Sequence, residues 1–289
     1  MIDNDFFTHH RKVILKDKLF KYWGIFCTFL GLALLAIFLS DILIKGLGRI
    51  DWEFMINQSS RKAENSGIGV PLWGSLYILF FTILIAFPLG LGAGIYLEEY
   101  SKKNRFSKIL EVNIANLAGV PSVIYGILGL SLFVQSMSLG KSIIAASLTL
   151  SLLIIPIIIV STREAIKAVP NSIKEASYGL GATKWQTIWN QVIPTSIGGI
   201  LTGVILALSR AVGESAPLIV VGALLKVSKP PLLPTDKFTV LPIQVYHWIG
   251  MPSEGFKINA AAGIIILLAI TFLLNGIAVY FRNKWTVKF

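Results

Sequence analysis

The sequence predicts an all-α integral membrane protein with six transmembrane helices, and three observations carry that prediction. Mean hydropathy is +0.72, and only 14% of the 289 residues are charged while 54% are apolar; an ordinary soluble domain has about 25% charged residues. Charged residues are missing from six windows, 22–40, 65–97, 112–140, 142–162, 185–209 and 258–281, the shortest of which has 19 residues. Crossing about 30 Å of hydrocarbon takes about 20 residues at about 1.5 Å each, so every window can span a bilayer as a helix. Runs such as Ile154 to Val160 are apolar on every side, unlike the alternating strands of a membrane β-barrel. A soluble enzyme and a β-barrel are both excluded.

The first helix is expected over about 22–44. Ser40-Asp41-Ile42 follows the apolar run without a small-x-small cleavage pattern, so this helix should persist as a membrane span and not be removed as a signal peptide. Cys27 lies alone within it, with no partner for a disulfide or a CxxC site, and reads as a packing residue. A polar stretch, 46–69, looks like a linker, and a second helix follows near 71–97. Gly90 and Gly94, and later Gly199 and Gly203, carry the small-residue spacing that lets helices approach closely in lipid. After a short loop, 98–108, the third helix (111–134) is interrupted by Gly119-Val120-Pro121-Ser122. Proline removes a backbone donor, so this break reads either as a packing kink or as part of a pathway. The fourth helix, near 140–162, contains Pro156, and the fifth apolar stretch runs near 196–225. Pro230, Pro231, Pro234, Pro242 and Pro252 disfavour regular helix in the next loop, although 240–249 could form a short re-entrant or interfacial turn. The sixth helix is placed near 258–281.

The net charge of +11 is explained by topology. With a cytoplasmic N-terminus, sixteen basic residues fall on inner segments and nine on outer ones, and Arg210 alone falls within the membrane. That bias favours both termini inside and removes the case for nucleic-acid binding. The chain divides into a cytoplasmic segment 1–21, a transmembrane region 22–282 with its core at about 70–282 and a long inner loop at 163–195, and a cytoplasmic tail 283–289.

Catalytic patterns are missing. His9, His10 and His247 lie outside the spans, and no GxSxG or HExxH pattern occurs. Gly140-Lys141-Ser142 resembles the end of a P-loop, but Gln135 stands where its first glycine belongs, so nucleotide-driven work must come from a partner. Arg210 and Glu214 are the sharpest anomaly. A charge at the bilayer centre costs about 2.5–3.5 kcal/mol on insertion scales and usually faces an interior or a wet path. Four residues apart on a helix, the two can pair. Either the pair only fixes packing, or the guanidinium offers its planar fork to an anion while Glu214 orients it and weakens its grip. Ser122 and Ser215 supply hydroxyl groups beside the break and the pair. Arg163 could attract an anion at the inner mouth, although topology alone explains a basic residue there.

The inner segment 168–186 reads as two short helices broken at Gly179 to Gly181, with Trp185 and Trp189 at the headgroups. Glu175-Ala176-Ser177, Gly181 and Ile193-Pro194 fall at the positions of the coupling motif of ABC importer permeases: Glu-Ala-Ala, three residues, Gly, nine residues, Ile, one residue, Leu-Pro. Ser177 and Ile193 depart mildly from it, and Gln191 stands where an aliphatic residue is expected. Over about 70–284, including Gly119 to Gly126, Arg210 to Pro217, and Asn259 to Ala262 through Tyr280 to Asn283, the chain resembles the PstA-like permeases of phosphate-specific ABC importers. The resemblance implies a type I ABC importer permease fold and a role as one half of an inorganic-phosphate path. It implies a PstC-like permease as heterodimer partner, a dimer of ATPase subunits that binds ATP and Mg, and an extracytoplasmic phosphate-binding protein. Glu175, Ala176, Ser177, Gly181 and Pro194 would dock the ATPase; Arg210, Glu214, Ser215 and Ser122 would line the substrate path. No cofactor or metal is expected on the chain itself. Import of phosphonate, sulfate or molybdate, a membrane scaffold or sensing subunit, and a channel or secondary carrier are the alternative readings.

Overall fold

The computed structural model describes residues 3–102, 104–223, 227 and 229–285, and among these every regular element is helical. Parts of the expected terminal segments, and Leu224 and Leu225 of the fifth apolar stretch, lie outside the described residues. Five helical stretches have the length and hydropathy to cross a membrane: 16–49, 69–100, 143–167, 184–213 and 254–284. A sixth crossing is a bent pair, 105–117 with 122–136.

Helix α1 (Asp3–Gly46) starts well before the expected span. Most of its described side chains are exposed, including Leu19, Phe29 and Phe38, as suits a surface covered by lipid. Cys27 is exposed on it, so it does not pack as expected. The stretch expected as a linker is folded onto the core. Short helix α2 (Trp52–Ile56) is capped by the Asp51 side chain, which accepts from the Phe54 amide, and Phe54 is fully buried. Arg49 fastens it further, donating to Asn259 Oδ1 at 3.0 Å and to the Glu64 carbonyl at 2.7 Å. Hydropathy could not reveal this, because the ordering comes from contacts distant in sequence.

Helix α3 (Gly69–Ile95) continues as one π-helical turn, Tyr96–Tyr100. It runs parallel to α6 (Ile143–Lys167): Ser147 and Ser151 donate to the Ile78 and Thr82 carbonyls, and Gly90 and Gly94 lie against Ile158 and Thr162. Helix α9 (Ile193–Gly213) packs antiparallel to α6, with Gly199 against Ala165 and Gly203 against Ser161. A Cβ on Gly203 would lie 1.9 Å from Ser161 Oγ, so this contact demands glycine. Both small-residue pairs therefore sit at helix crossings, where the sequence placed them.

The third crossing is broken rather than kinked. Helix α4 (Arg105–Leu117) and helix α5 (Ser122–Gly129), which continues as a π-helix through Ser136, meet at 100°. Pro121 is the cause: its backbone is extended (ψ 134°) and it has no N–H with which to continue α4. The fifth stretch is likewise two pieces, α9 and helix α10 (Ala216–Val221), separated by Glu214 and Ser215. Between α6 and α9 lie two short helices, α7 (Asn171–Gly179) and α8 (Lys184–Thr187), and a π-helical turn leads from α8 into α9. The 240–249 region forms helix α11 (Leu241–Ile249), with Gln244 and Trp248 fully buried, before α12 (Glu254–Trp285).

The proline-rich loop caps α6. The amides of Ile143 and Ile144 donate to the Asp236 and Pro234 carbonyls at 3.1 and 2.9 Å. The Asp236 carboxylate accepts from the Leu233 and Leu232 amides, each at 2.9 Å, and these bonds hold its pKa below the ordinary 3.8.

Candidate functional site

The two breaks meet at mid-depth. Extending the Gly199/Ala165 and Gly203/Ser161 register puts Arg210 level with Ile154 of α6, and Ala207 and Ala211 pack in one cluster with Leu153 and Ile154. That level is about 16 Å along α6 from one end and about 20 Å from the other, at about 1.5 Å per residue.

Arg210 occupies the last turn of α9 and Glu214 its C-cap, where the chain leaves helical geometry (ψ 115°). Arg210 Nε donates to Glu214 Oε1 at 3.3 Å, and Nη1 donates to the Ala118 carbonyl at 3.2 Å. Tyr125 Oη donates to the neighbouring Leu117 carbonyl at 2.8 Å. At the break the Ala118 carbonyl is thus satisfied by a guanidinium and the Leu117 carbonyl by a phenol together with the Val120 amide, and the cation lies at the negative end of the α4 dipole. Arg210 therefore has a packing role, joining the ends of α9 and α4.

The guanidinium retains capacity. Its side chain is 37% exposed, against 18% for Glu214, and among the described residues Nη2 has no hydrogen bond. A planar cation with one free edge suits an oxyanion. Glu214 faces elsewhere as well: with Ser75, Leu150, Val240 and Pro242 it lines a cavity of about 10 Å³, room for no more than a water. The accessible side of the pair is therefore at Arg210.

Ser122 opens α5 and Ser215 precedes α10; both are partly exposed. Helices α5 and α10 lie side by side, since a Cβ on Gly126 would come within 2.8 Å of Pro217. The structure thus brings the two breaks that carry Ser122, Arg210, Glu214 and Ser215 to one junction, and among the described residues neither serine hydroxyl bonds to Arg210 or Glu214.

The long loop forms a separate feature, at the end of the molecule to which α3 and α6 descend. Glu175 and Ala176 are exposed on α7, and Ser177 Oγ hydrogen bonds with Thr187 Oγ1 at 2.9 Å, tying α7 to α8. Gly181 reverses the chain with φ +81°, a conformation that disfavours other residues. Thr183 and Gln186 form a reciprocal cap on α8. Together Ala176, Ser177, Leu180, Gln186 and Gln191 line an open groove of about 410 Å³. Leu180 is 90% exposed at its rim, and Gln191, which departs from the motif, forms part of the groove and is not buried. Pro194 opens α9 beyond it, exposed to solvent.

Arg163 is not a free cation. It pairs with Glu111 at 2.8 Å and Glu98 at 3.4 Å, with a side chain only 13% exposed. Reading the sequence also missed the ties made by Glu98, Glu99, Glu111 and Tyr125. The adjacent carboxylates Glu98-Glu99 at the end of a charge-free window were the available signal; their partners, 65 to 75 residues away, were not visible.

With both features in place, comparison with known proteins identifies the class. Residues 86–287 match the model of the family described as binding-protein-dependent transport system inner membrane component, and the chain belongs to that family. It is 37% identical over 205 residues to the probable ABC transporter permease protein YqgI of Bacillus subtilis (strain 168), covering 71% of this chain and 70% of that one. It is 27% identical over 278 residues to the phosphate transport system permease protein PstA of Pasteurella multocida (strain Pm70), covering 96% and 98% respectively. Among solved structures, inward-facing MetNI methionine ABC transporter superposes with a TM-score of 0.60 at 18% identity, over 75% of this chain and 95% of that one. The protein is a PstA-like, multi-pass ABC importer permease subunit, and its role is transport.

Proposed function

We propose that this chain is the PstA-type subunit of an ATP-driven importer of inorganic phosphate. In this reading it pairs with a PstC-like permease, receives phosphate from an extracytoplasmic binding protein, and is driven by two ATPase subunits that carry the ATP and Mg. Both termini are cytoplasmic, on the same side as the α7–α8 loop. The observation that carries the reading is Arg210, held at mid-depth where two broken helices meet, with part of its fork unused. Near-full-length similarity to a phosphate permease supports the substrate.

The chain's residues divide the work. Arg210 meets the anion, beside the N-terminal end of α5, whose first amides lack helical acceptors. Glu214 competes for the same guanidinium, so that phosphate is held and then released. Ser122 and Ser215 offer hydroxyl groups at the two breaks. Glu175, Ala176, Ser177, Gly181 and Pro194 form or border the ATPase-docking surface around the 410 Å³ groove.

Uptake of labelled phosphate by the complete complex in proteoliposomes, with sulfate, molybdate and phosphonate as competitors, tests the assignment. Phosphate alone should compete at low concentration. Stronger competition by sulfate would end the phosphate reading, and uptake that continues without the ATPase would end the importer reading.

A further inference from the structure

The π-helical turn Tyr96–Tyr100 at the foot of α3 holds both arms of the α7–α8 loop. Glu99 accepts from Lys174 Nζ of α7 at 2.5 Å, and the pair is largely buried, with side chains 7% and 18% exposed. From the other arm, Lys184 Nζ donates to the Glu99 carbonyl and lies 4.8 Å from the centre of the Tyr100 ring. The preceding residue, Glu98, turns the other way and pairs with Arg163 of α6, which also pairs with Glu111 of α4. Two consecutive carboxylates therefore join the loop to α3, α6 and α4. Helix α4 ends at the carbonyls of Leu117 and Ala118, held by Tyr125 and Arg210. From Glu111 to the Ala118 carbonyl the chain of α4 runs about 10 Å, which connects the Arg163 level to the break.

We propose that Glu99 is a positioning residue for transport: it is the strut through which movement of the α7–α8 loop reaches α3, and, through Glu98, Arg163 and α4, the carbonyl that holds Arg210. The physical case rests on three features. A buried pair cannot be stretched cheaply, because separating it leaves a desolvated charge without a partner. Both loop arms bind Glu99, one at its carboxylate and the other at its carbonyl, so the loop and the foot of α3 move as one body. A π-turn is a place where a helix accommodates an inserted residue and is frequently found at working sites. Shifting α4 along its axis would change the Ala118–Arg210 contact and hence the freedom of the guanidinium to meet or release an anion. This inference rests on the loop being the ATPase-docking surface.

The test uses the full complex with its binding protein in proteoliposomes, comparing Glu99→Gln, Lys174→Gln and the charge exchange Glu99→Lys with Lys174→Glu. Val120→Cys, in a Cys27→Ser background, reports thiol labelling at the break with and without vanadate-trapped nucleotide. Glu99→Gln should retain ATPase association and basal hydrolysis, lose about tenfold in phosphate taken up per ATP hydrolysed, and lose the nucleotide-dependent change in labelling. The charge exchange should restore both. Wild-type uptake and labelling change in Glu99→Gln would overturn the proposal, as would a charge exchange no better than the single variants while the complex remains assembled. Glu175→Lys separates this from the docking reading: unchanged ATPase association in that variant would overturn the docking surface, whereas lost association together with a fully coupled Glu99→Gln would overturn the strut alone.

Discussion

Arg210 Nη1 donates to the carbonyl of Ala118, 92 residues earlier in the chain, at 3.2 Å. That bond joins two helices that both stop in mid-membrane, and it gives Arg210 two tasks: satisfying a carbonyl orphaned by Pro121 and presenting a cation at the break. Replacing the fork with a point charge should separate them. Arg210→Lys can neutralise the α4 end but cannot offer a planar bidentate edge. It should assemble normally and show uptake reduced by about tenfold at limiting phosphate, read as a higher KM; an unchanged KM would assign Arg210 to packing.

Glu214 pairs with Arg210 Nε at 3.3 Å, so an anion at that guanidinium would have to share it. Removing its charge leaves Arg210 less neutralised, so Glu214→Gln should lower the KM for phosphate and lower the maximal rate, because release slows. Steady-state uptake measured across phosphate concentrations distinguishes this from a folding defect, which would lower the rate without tightening KM.

Gly203 faces Ser161 with no room for a side chain. Gly203→Leu should prise α9 from α6 and lower the thermal unfolding temperature of the purified complex, by an amount consistent with an overpacking cost of about 1–3 kcal/mol. Gly92, which meets no atom within 4 Å, is the control, and Gly92→Ala should leave the transition in place.

The Asp236 turn supplies a pH dependence. Its pKa is lowered in the folded state by amide bonds from Leu233 and Leu232, so the carboxylate stabilises the fold fully above its ordinary value of 3.8, and that contribution is lost as pH falls below it toward the lowered value. Asp236→Asn should abolish this part of the acid destabilisation and leave behaviour at neutral pH to depend on how well the amide replaces the acceptor. Thermal melts between neutral and strongly acid pH give the comparison.

The spans were legible because hydrocarbon excludes charge, and the six charge-free windows each lie on a crossing. Gly90, Gly94, Gly199 and Gly203 were legible as crossing points because their spacing reflects local helix geometry. Pro121 announced an interruption, yet whether a proline kinks or severs a helix depends on what satisfies the freed carbonyls, here Tyr125 on the next helix and Arg210, 92 residues on from Ala118. Similarly, α2 looked like a linker because its ordering comes from Asn259 and the core around Phe54. Arg210 and Glu214 stood out by residue type alone. The roles of Glu98, Glu99 and Arg163 as a knot between five helices required coordinates, since each partner lies on a different element.

The central claim is that the mid-membrane guanidinium handles the anion. Uptake of labelled phosphate by proteoliposomes containing the complete complex with Arg210→Ala tests it most directly, with ATPase co-purification measured on the same sample. The account predicts an assembled, ATPase-bound complex with uptake at background; uptake at the wild-type rate from that assembled complex would contradict it.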